Sequence, residues 1–320
     1  MTTTQAPATV NKSVTVKADI QHAFDVFTGG FDTWWPRTHH IGKKPMVKAV
    51  IEPRVGGRCY GRETDGNECH WGTVLAWDPP HRLVFAWHIA PDFQVTNLDP
   101  AASSEVEVRF TPEANGMTRV DLEHRHLERH GKDFEKLRLS VAGPGGWGGL
   151  LQMFGRTSNV YHPAVKPIAF IFAGNDAIAD RSFYGVKPDD LWKRPTPNTN
   201  AMLWIYAHMA AVRGRVLNAL GESFDPGWGD AFGRGAELKD PSTYPSREKI
   251  VEVVRDVNAR LFAKLAMLTD AELSQPAKGQ LPNSVQTLGD QLAFIALHDS
   301  YHVGQLAYVR KALGLPGVVG

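Results

Sequence analysis

The chain is poor in cysteine, in excess charge of either sign and in long apolar runs. Two cysteines among 320 residues are too few for a disulfide framework. The net charge is +1, with 17 basic and 18 acidic residues in positions 1–150 (−1) and 18 basic and 16 acidic in the rest (+2). Neither half has the basic excess of a nucleic-acid-binding surface, so no nucleic acid is expected as a partner. No apolar run reaches the roughly 18 residues of a membrane span, so no membrane is expected either. Met1 to Val10 lacks the basic residue and apolar core of a secretory signal. Residues 1–9 read as a disordered lead-in, and free thiols fit a cytoplasmic location. Hydrophobic residues make up 42% and charged residues 22%, an ordinary folded composition. A chain of 320 residues suffices for two domains, each with its own core.

Residues 10–155 carry mostly strand signals framed by two helices. Ser104 to Pro112 alternates, with Val106, Val108 and Phe110 on one face and Glu105, Glu107 and Arg109 on the other. Met117 to His126 alternates likewise, and Asn115-Gly116 is a hairpin turn between them. Thr64-Asp65-Gly66-Asn67 reads as a second hairpin turn. Its register pairs Glu63 with Glu68, Tyr60 with Trp71 and Cys59 with Gly72, which puts Cys59 and Cys69 on opposite faces, unable to bond. A last helix from about Lys132 is interrupted by Gly143-Pro144-Gly145-Gly146. Helix, antiparallel meander, helix describes a curved α+β sheet wrapped on a long helix.

Phe31-Asp32-Thr33-Trp34-Trp35-Pro36, Glu52-Pro53-Arg54-Val55-Gly56-Gly57-Arg58 and the stretch from Trp71 to Pro80 resemble the SRPBCC (START-like, helix-grip) superfamily, in the branch related to the activator of the heat-shock protein 90 ATPase. The resemblance implies a helix-grip fold with an internal pocket. It does not settle function, since such domains include lipid carriers, polyketide cyclases and co-chaperones. Trp34, Trp35, Tyr60, Trp71, Phe85 and Trp87 are candidates for lining a ligand cavity. Plain core packing is the competing expectation. His124 and His126 share the parity of Val120 and Leu122, but no acid or nucleophile is fixed beside them.

Residues 156–167, with Pro163 and Pro167, read as a linker. In residues 168–320 the period changes from two to 3.6. Helices are predicted over 168–184, 200–220 with Asn200 as N-cap, 246–268 with Ser246 as cap, and 287–313 with a Thr287/Asp290 capping box. Four amphipathic helices make an all-α four-helix bundle, separated by a polar loop over 222–245 in which Trp228 and Phe232 stand out.

The last helix carries His298-Asp299-Ser300-Tyr301-His302-Val303-Gly304-Gln305. Histidines at i and i+4 sit one turn apart on one face, so both imidazoles can reach one point. His208 lies on the apolar stripe Ile205, His208, Val212, Val216 of the second helix and is the best third ligand. Imidazoles in an apolar seam need partners, and one metal satisfies three at once. Separate hydrogen-bonded core histidines are the plainer alternative. His298-Asp299-x-x-His302 also approaches the H-E-x-x-H protease pattern, but Asp is a methylene shorter and no third ligand follows. Asp299 is therefore expected at the surface or behind the ligands, and Gln305 behind them, orienting a ligand or water.

Leu203-Trp204-Ile205-Tyr206-Ala207-His208-Met209 and the His298 to Gln305 stretch resemble the DinB-like superfamily of bacterial metal-binding bundles, over roughly Ile168 to Gly314. That resemblance implies His208, His298 and His302 as the metal triad, and low-molecular-weight thiol chemistry for some members. Zn, Ni, Mn and Fe all accept such ligands. The reading is a metal-dependent thiol transferase or hydrolase acting on a small apolar substrate captured by the helix-grip domain, or on a low-molecular-weight thiol. The alternative is a ligand carrier or chaperone-associated protein with a structural or sensory metal. A homodimer through the bundle is compatible with either.

Overall fold

Alternation builds the sheet. Val106, Val108 and Phe110 are buried, as are Val120 and Leu122 on the neighbouring strand. The computed structural model describes residues 8–318 except 96, 144, 234 and 238. The expected lead-in therefore lies outside the described residues up to position 7, as does Pro144 of the helix interruption. The chain divides into two compact units, Met1–Val160 and Tyr161–Gly320.

The first unit is a seven-stranded antiparallel sheet: β1 (Val10–Val16), β2 (Met46–Ile51), β3 (Arg58–Glu63), β4 (Glu68–Asp78), β5 (Arg82–Trp87), β6 (Ser104–Glu113) and β7 (Met117–Arg125). Strands β2 to β7 form a meander, and β1 pairs with β7. Helix α1 (Ile20–Phe27) starts where the Asp19 carboxylate accepts the His22 N–H at 2.8 Å. A single turn, α2 (Phe31–Trp34), follows. After the sheet the chain forms α3 (Phe134–Ala142) and α4 (Trp147–Ser158), broken at the glycine-rich stretch as expected. Gly155 lets α4 lie close on β1: a Cβ there would meet the Val14 side chain at 3.3 Å. This is the helix-grip arrangement.

Two details of the sheet depart from expectation. Cys59 pairs with Gly72, but the register then slips, so that Tyr60 faces His70, Gly61 faces Cys69 and Arg62 faces Glu68. Trp71 is the extra residue of a bulge, which the hairpin pattern alone does not reveal. The slip reverses parity beyond it, so Cys69 shares a face with Cys59 instead of opposing it, and both are free thiols. Glu107 points away from the core, as expected, yet is only 2% exposed, because Arg82, Arg109 and Arg125 close over it.

The second unit is a four-helix bundle of α5 (Lys166–Phe183), α6 (Met202–Ala219), α7 (Arg247–Met267) and, after the single turn α8 (Asp270–Leu273), α9 (Leu288–Ala312). Helix α4 runs to Ser158 and α5 begins at Lys166 with Pro167 in its first turn, so both ends of the expected linker are helical. Ser246 caps α7, and Thr287 with Asp290 forms a capping box on α9. Asn200 is not the cap of α6; Ala201 holds that position without a side-chain bond. Most of α6 is buried, since α7 and α9 both pack against it. No helix among the described residues is long and apolar enough to cross a membrane.

Candidate metal centre

Helices α6 and α9 bring three imidazoles together. The ligand nitrogens of His208, His298 and His302 all lie within 4.8 Å of one another. His298 and His302 follow from the one-turn spacing on α9, and their Nε2 atoms are 3.2 Å apart. A tetrahedral ion with metal–nitrogen bonds of about 2.05 Å separates its ligands by about 3.3 Å, so this pair already has coordination spacing. His208 comes from α6, its ring stacked on Trp204 one turn earlier at 5.3 Å and 8°.

Neighbouring groups decide which nitrogen is free. The His208 Nδ1–H donates to the Phe232 carbonyl at 2.6 Å, and the His302 Nδ1–H donates to Gln305 Oε1 at 2.7 Å. Both bonds leave the Nε2 lone pair for a common point, the arrangement that orients metal-bound histidines. The Gln305 amide is held in turn by donating to the Tyr301 hydroxyl at 3.1 Å. The buried His298 Nδ1 has no hydrogen-bond partner among the described residues. Burial is the main cause that lowers each of the three pKa values to about 4. The Arg215 charge adds to it at His208 and His298. All three rings are therefore neutral at pH 7 and have lone pairs to offer. Neutral nitrogen donors, two fixed tautomers and coordination spacing fit a divalent transition ion.

The 222–245 loop, read as polar from the sequence, has an aromatic interior that positions one of these groups. Phe232 is completely buried, with Tyr244 stacked on it at 5.0 Å and Trp228 edge-on at 5.3 Å. That packing holds the carbonyl that meets His208. Beyond the rings lies an open groove of about 1420 Å³, reached by His208 and His298 and rimmed by Arg215, Asp230 and Lys278.

Asp299 is neither at the surface nor behind the ligands, which corrects the sequence reading. It is fully buried and accepts from Arg213 Nε at 2.6 Å. Arg213 Nη1 also meets Asp176 at 2.5 Å and the side-chain oxygen of Asn258. One residue from each of α5, α7 and α9 thus converges on the single guanidinium that α6 carries. Burial raises the Asp299 pKa to about 6 despite that partner. Sequence reasoning passed over this network. Its signal was polar residues where the apolar spacing calls for aliphatic ones, as in Met209, Arg213, Leu217.

Most of the candidate cavity residues of the first unit pack on one another. Trp35 stacks on Phe31 at 4.7 Å and on Trp71 at 6.0 Å, Trp71 meets Phe85 and Trp87, and Trp34 packs on Phe27. A cavity of about 30 Å³ remains beside Trp35, Trp71, Met46 and Cys69, room for roughly one water. Tyr60 is a correction. The bulge leaves it on the outer face, beneath the Arg58 guanidinium at 4.6 Å. His124 does face inward: its Nδ1 accepts from Trp147 at 3.0 Å, and its Nε2 lies 2.8 Å from the Ser104 hydroxyl. His126 lies past the end of β7 with a left-handed backbone and does not.

Residues 17–154 match the family model of activator of Hsp90 ATPase homolog 1-like protein, and residues 179–306 match that of the DinB superfamily. Among solved structures, an anthrahydroquino-γ-pyrone synthase, Txn09, is 42% identical, covering 47% of this chain and 96% of its own, with a TM-score of 0.36. CalC, a self-sacrificing resistance protein from Micromonospora echinospora, is 36% identical over 47% of this chain and 94% of its own, with a TM-score of 0.37. The Aha1 dimer from Colwellia psychrerythraea is 13% identical over 48% and 96%, with a TM-score of 0.33. No curated protein matches. The chain thus joins a stretch similar to the activator of Hsp90 ATPase homolog 1-like family, residues 17–154, to one similar to the DinB superfamily, residues 179–306.

Proposed function

We propose that the helical unit binds one divalent transition ion through His208, His298 and His302 and uses it to transfer a group to or from a small thiol, or to hydrolyse a small substrate. The observation that carries this reading is the convergence of three neutral imidazoles, two with their tautomers fixed by Phe232 and Gln305, at the wall of an open groove. A bound ion would supply Lewis acidity, lowering the pKa of a thiol or water brought against it. The chain's own residues do the rest. The Phe232 carbonyl and Gln305 aim two of the rings, Trp204 backs His208, and the groove admits the substrate. Zn, Ni, Mn and Fe are all compatible with three imidazoles.

The groove that His208 and His298 reach is the entrance for the substrate. A structural or sensory ion in a binding protein without turnover is the second reading. The open groove favours turnover, since structural sites are closed. The exposed Leu297, Tyr301 and Tyr308 on α9 support pairing of two copies through the bundle, and sedimentation equilibrium would test it. For the centre itself, elemental analysis of tag-free protein should find about one ion per chain. His298→Ala should lose it, and full retention of the ion in that variant refutes the centre.

A further inference from the structure

The groove beside the triad is unevenly charged. Arg215 lies seven residues beyond His208 on α6, two turns or about 10 Å along the axis. Its side chain is 60% exposed, and Asp230, the carboxylate that reaches it, lies 4.0 Å away and is itself fully exposed. Such a contact is screened and holds the guanidinium weakly. The Arg215 charge is nevertheless close enough to act on both His208 and His298.

The second cation is placed by a built device. Lys278 sits in a loop closed by an antiparallel bridge between Pro276 and Thr287. The buried side chain of Gln291, on α9, grips the Lys278 backbone from both sides. The Lys278 N–H donates to Gln291 Oε1 at 3.0 Å, and Gln291 Nε2 donates to the Lys278 carbonyl at 3.1 Å. The ammonium gives one N–H to the Ala219 carbonyl at the end of α6, at 2.9 Å. It has two more to give. The remaining wall is mostly apolar, with Val212, Val216, Leu281, Phe294 and Ile295.

We propose that this groove takes a small molecule bearing a carboxylate or phosphate group, held by Arg215 and Lys278 while its reacting end meets the triad at His208 and His298. The proposal rests on the reading of the triad given above and narrows its substrate class. Three neutral imidazoles bring no negative charge, so the fixed charge described at the groove is two cations against the solvated Asp230. An anionic group there finds two forks of donors and an apolar floor for its carbon skeleton. An uncharged substrate makes use of neither cation.

The test separates the two claims. Succinate is titrated calorimetrically into the full-length chain, freed of metal by a chelator, at low salt. Saturable binding is expected, weakened about tenfold or more in the Arg215→Gln/Lys278→Gln double variant. Competition by inorganic phosphate at similar strength marks phosphate as the recognised group, and its failure to compete marks carboxylate. With zinc loaded, mercaptosuccinate should bind more tightly than 1-thioglycerol, and the double variant should erase the preference. No succinate binding, or equal binding to the double variant, overturns the proposal. Failure of the metal centre shows separately, as an ion retained by His298→Ala, and leaves the metal-free succinate result standing.

Discussion

Gln305 offers the sharpest test of how the triad is held. Its Oε1 accepts the His302 Nδ1–H at 2.7 Å, and its amide is steadied by Tyr301. In Gln305→Leu the imidazole keeps its place on α9 but loses the acceptor that fixes its tautomer and sharpens its basicity. Removing such an outer partner costs about 10- to 100-fold in metal affinity, or about 1.4 to 2.7 kcal/mol. Gln305→Glu should move the other way. A carboxylate at the same distance makes a charge-assisted bond, stronger than the neutral one by about 1 kcal/mol, and tightens binding several-fold. The side chain is only half-buried, so both variants should unfold within about 1 kcal/mol of the parent. Zinc affinity measured by competition with a chromophoric chelator at neutral pH gives the ordering Glu above Gln above Leu. Equal affinities across the series, with folding intact, would show that His302 is not a ligand held through its Nδ1–H.

Two further perturbations probe the units separately. Asp299→Ala leaves Arg213 buried with one of its two carboxylate partners removed, and should destabilise the bundle by about 3 to 5 kcal/mol in urea unfolding; a loss under about 1 kcal/mol would mean that Asp176 and Asn258 suffice. In the first unit, burial holds the His124 pKa down to about 3, against 6.5 when unfolded. Its contribution is therefore complete above pH 6.5 and drains away as the pH falls toward 3, at up to about 1.4 kcal/mol per pH unit. Hydrogen exchange of β6 and β7 amides between pH 6.5 and 4.5 should show a steeper loss in the parent than in His124→Gln, and parallel slopes would refute the assignment.

Much of this architecture is legible in the residues because it is periodic. The alternation of Val106, Val108 and Phe110, the capping box at Thr287 and the one-turn spacing of His298 and His302 each follow from local geometry, which a sequence displays directly. The errors share a different origin. Tyr60 was placed inward because a hairpin register was carried through Trp71, where the bulge inserts a residue. A sequence does not distinguish rings that surround a space from rings that fill it, and Trp35 and Trp71 do both, bordering a small cavity while stacking on each other. Asp299 reads as a residue at the surface or behind the ligands because its partner, Arg213, lies 86 residues away. The Phe232 carbonyl was invisible because a backbone atom has no residue type to betray it.

The guanidinium at the centre of the bundle has a consequence for alignment. Seams filled by interchangeable aliphatic side chains tolerate a helix that turns or slides by a notch, at modest cost. A cation that must find Asp176, Asn258 and Asp299 on three other helices tolerates no such error, because every misregistered packing strands a charge in hydrocarbon. Since Asp299 directly follows His298, the lock that sets the rotation of α9 also sets the aim of the imidazoles beside it.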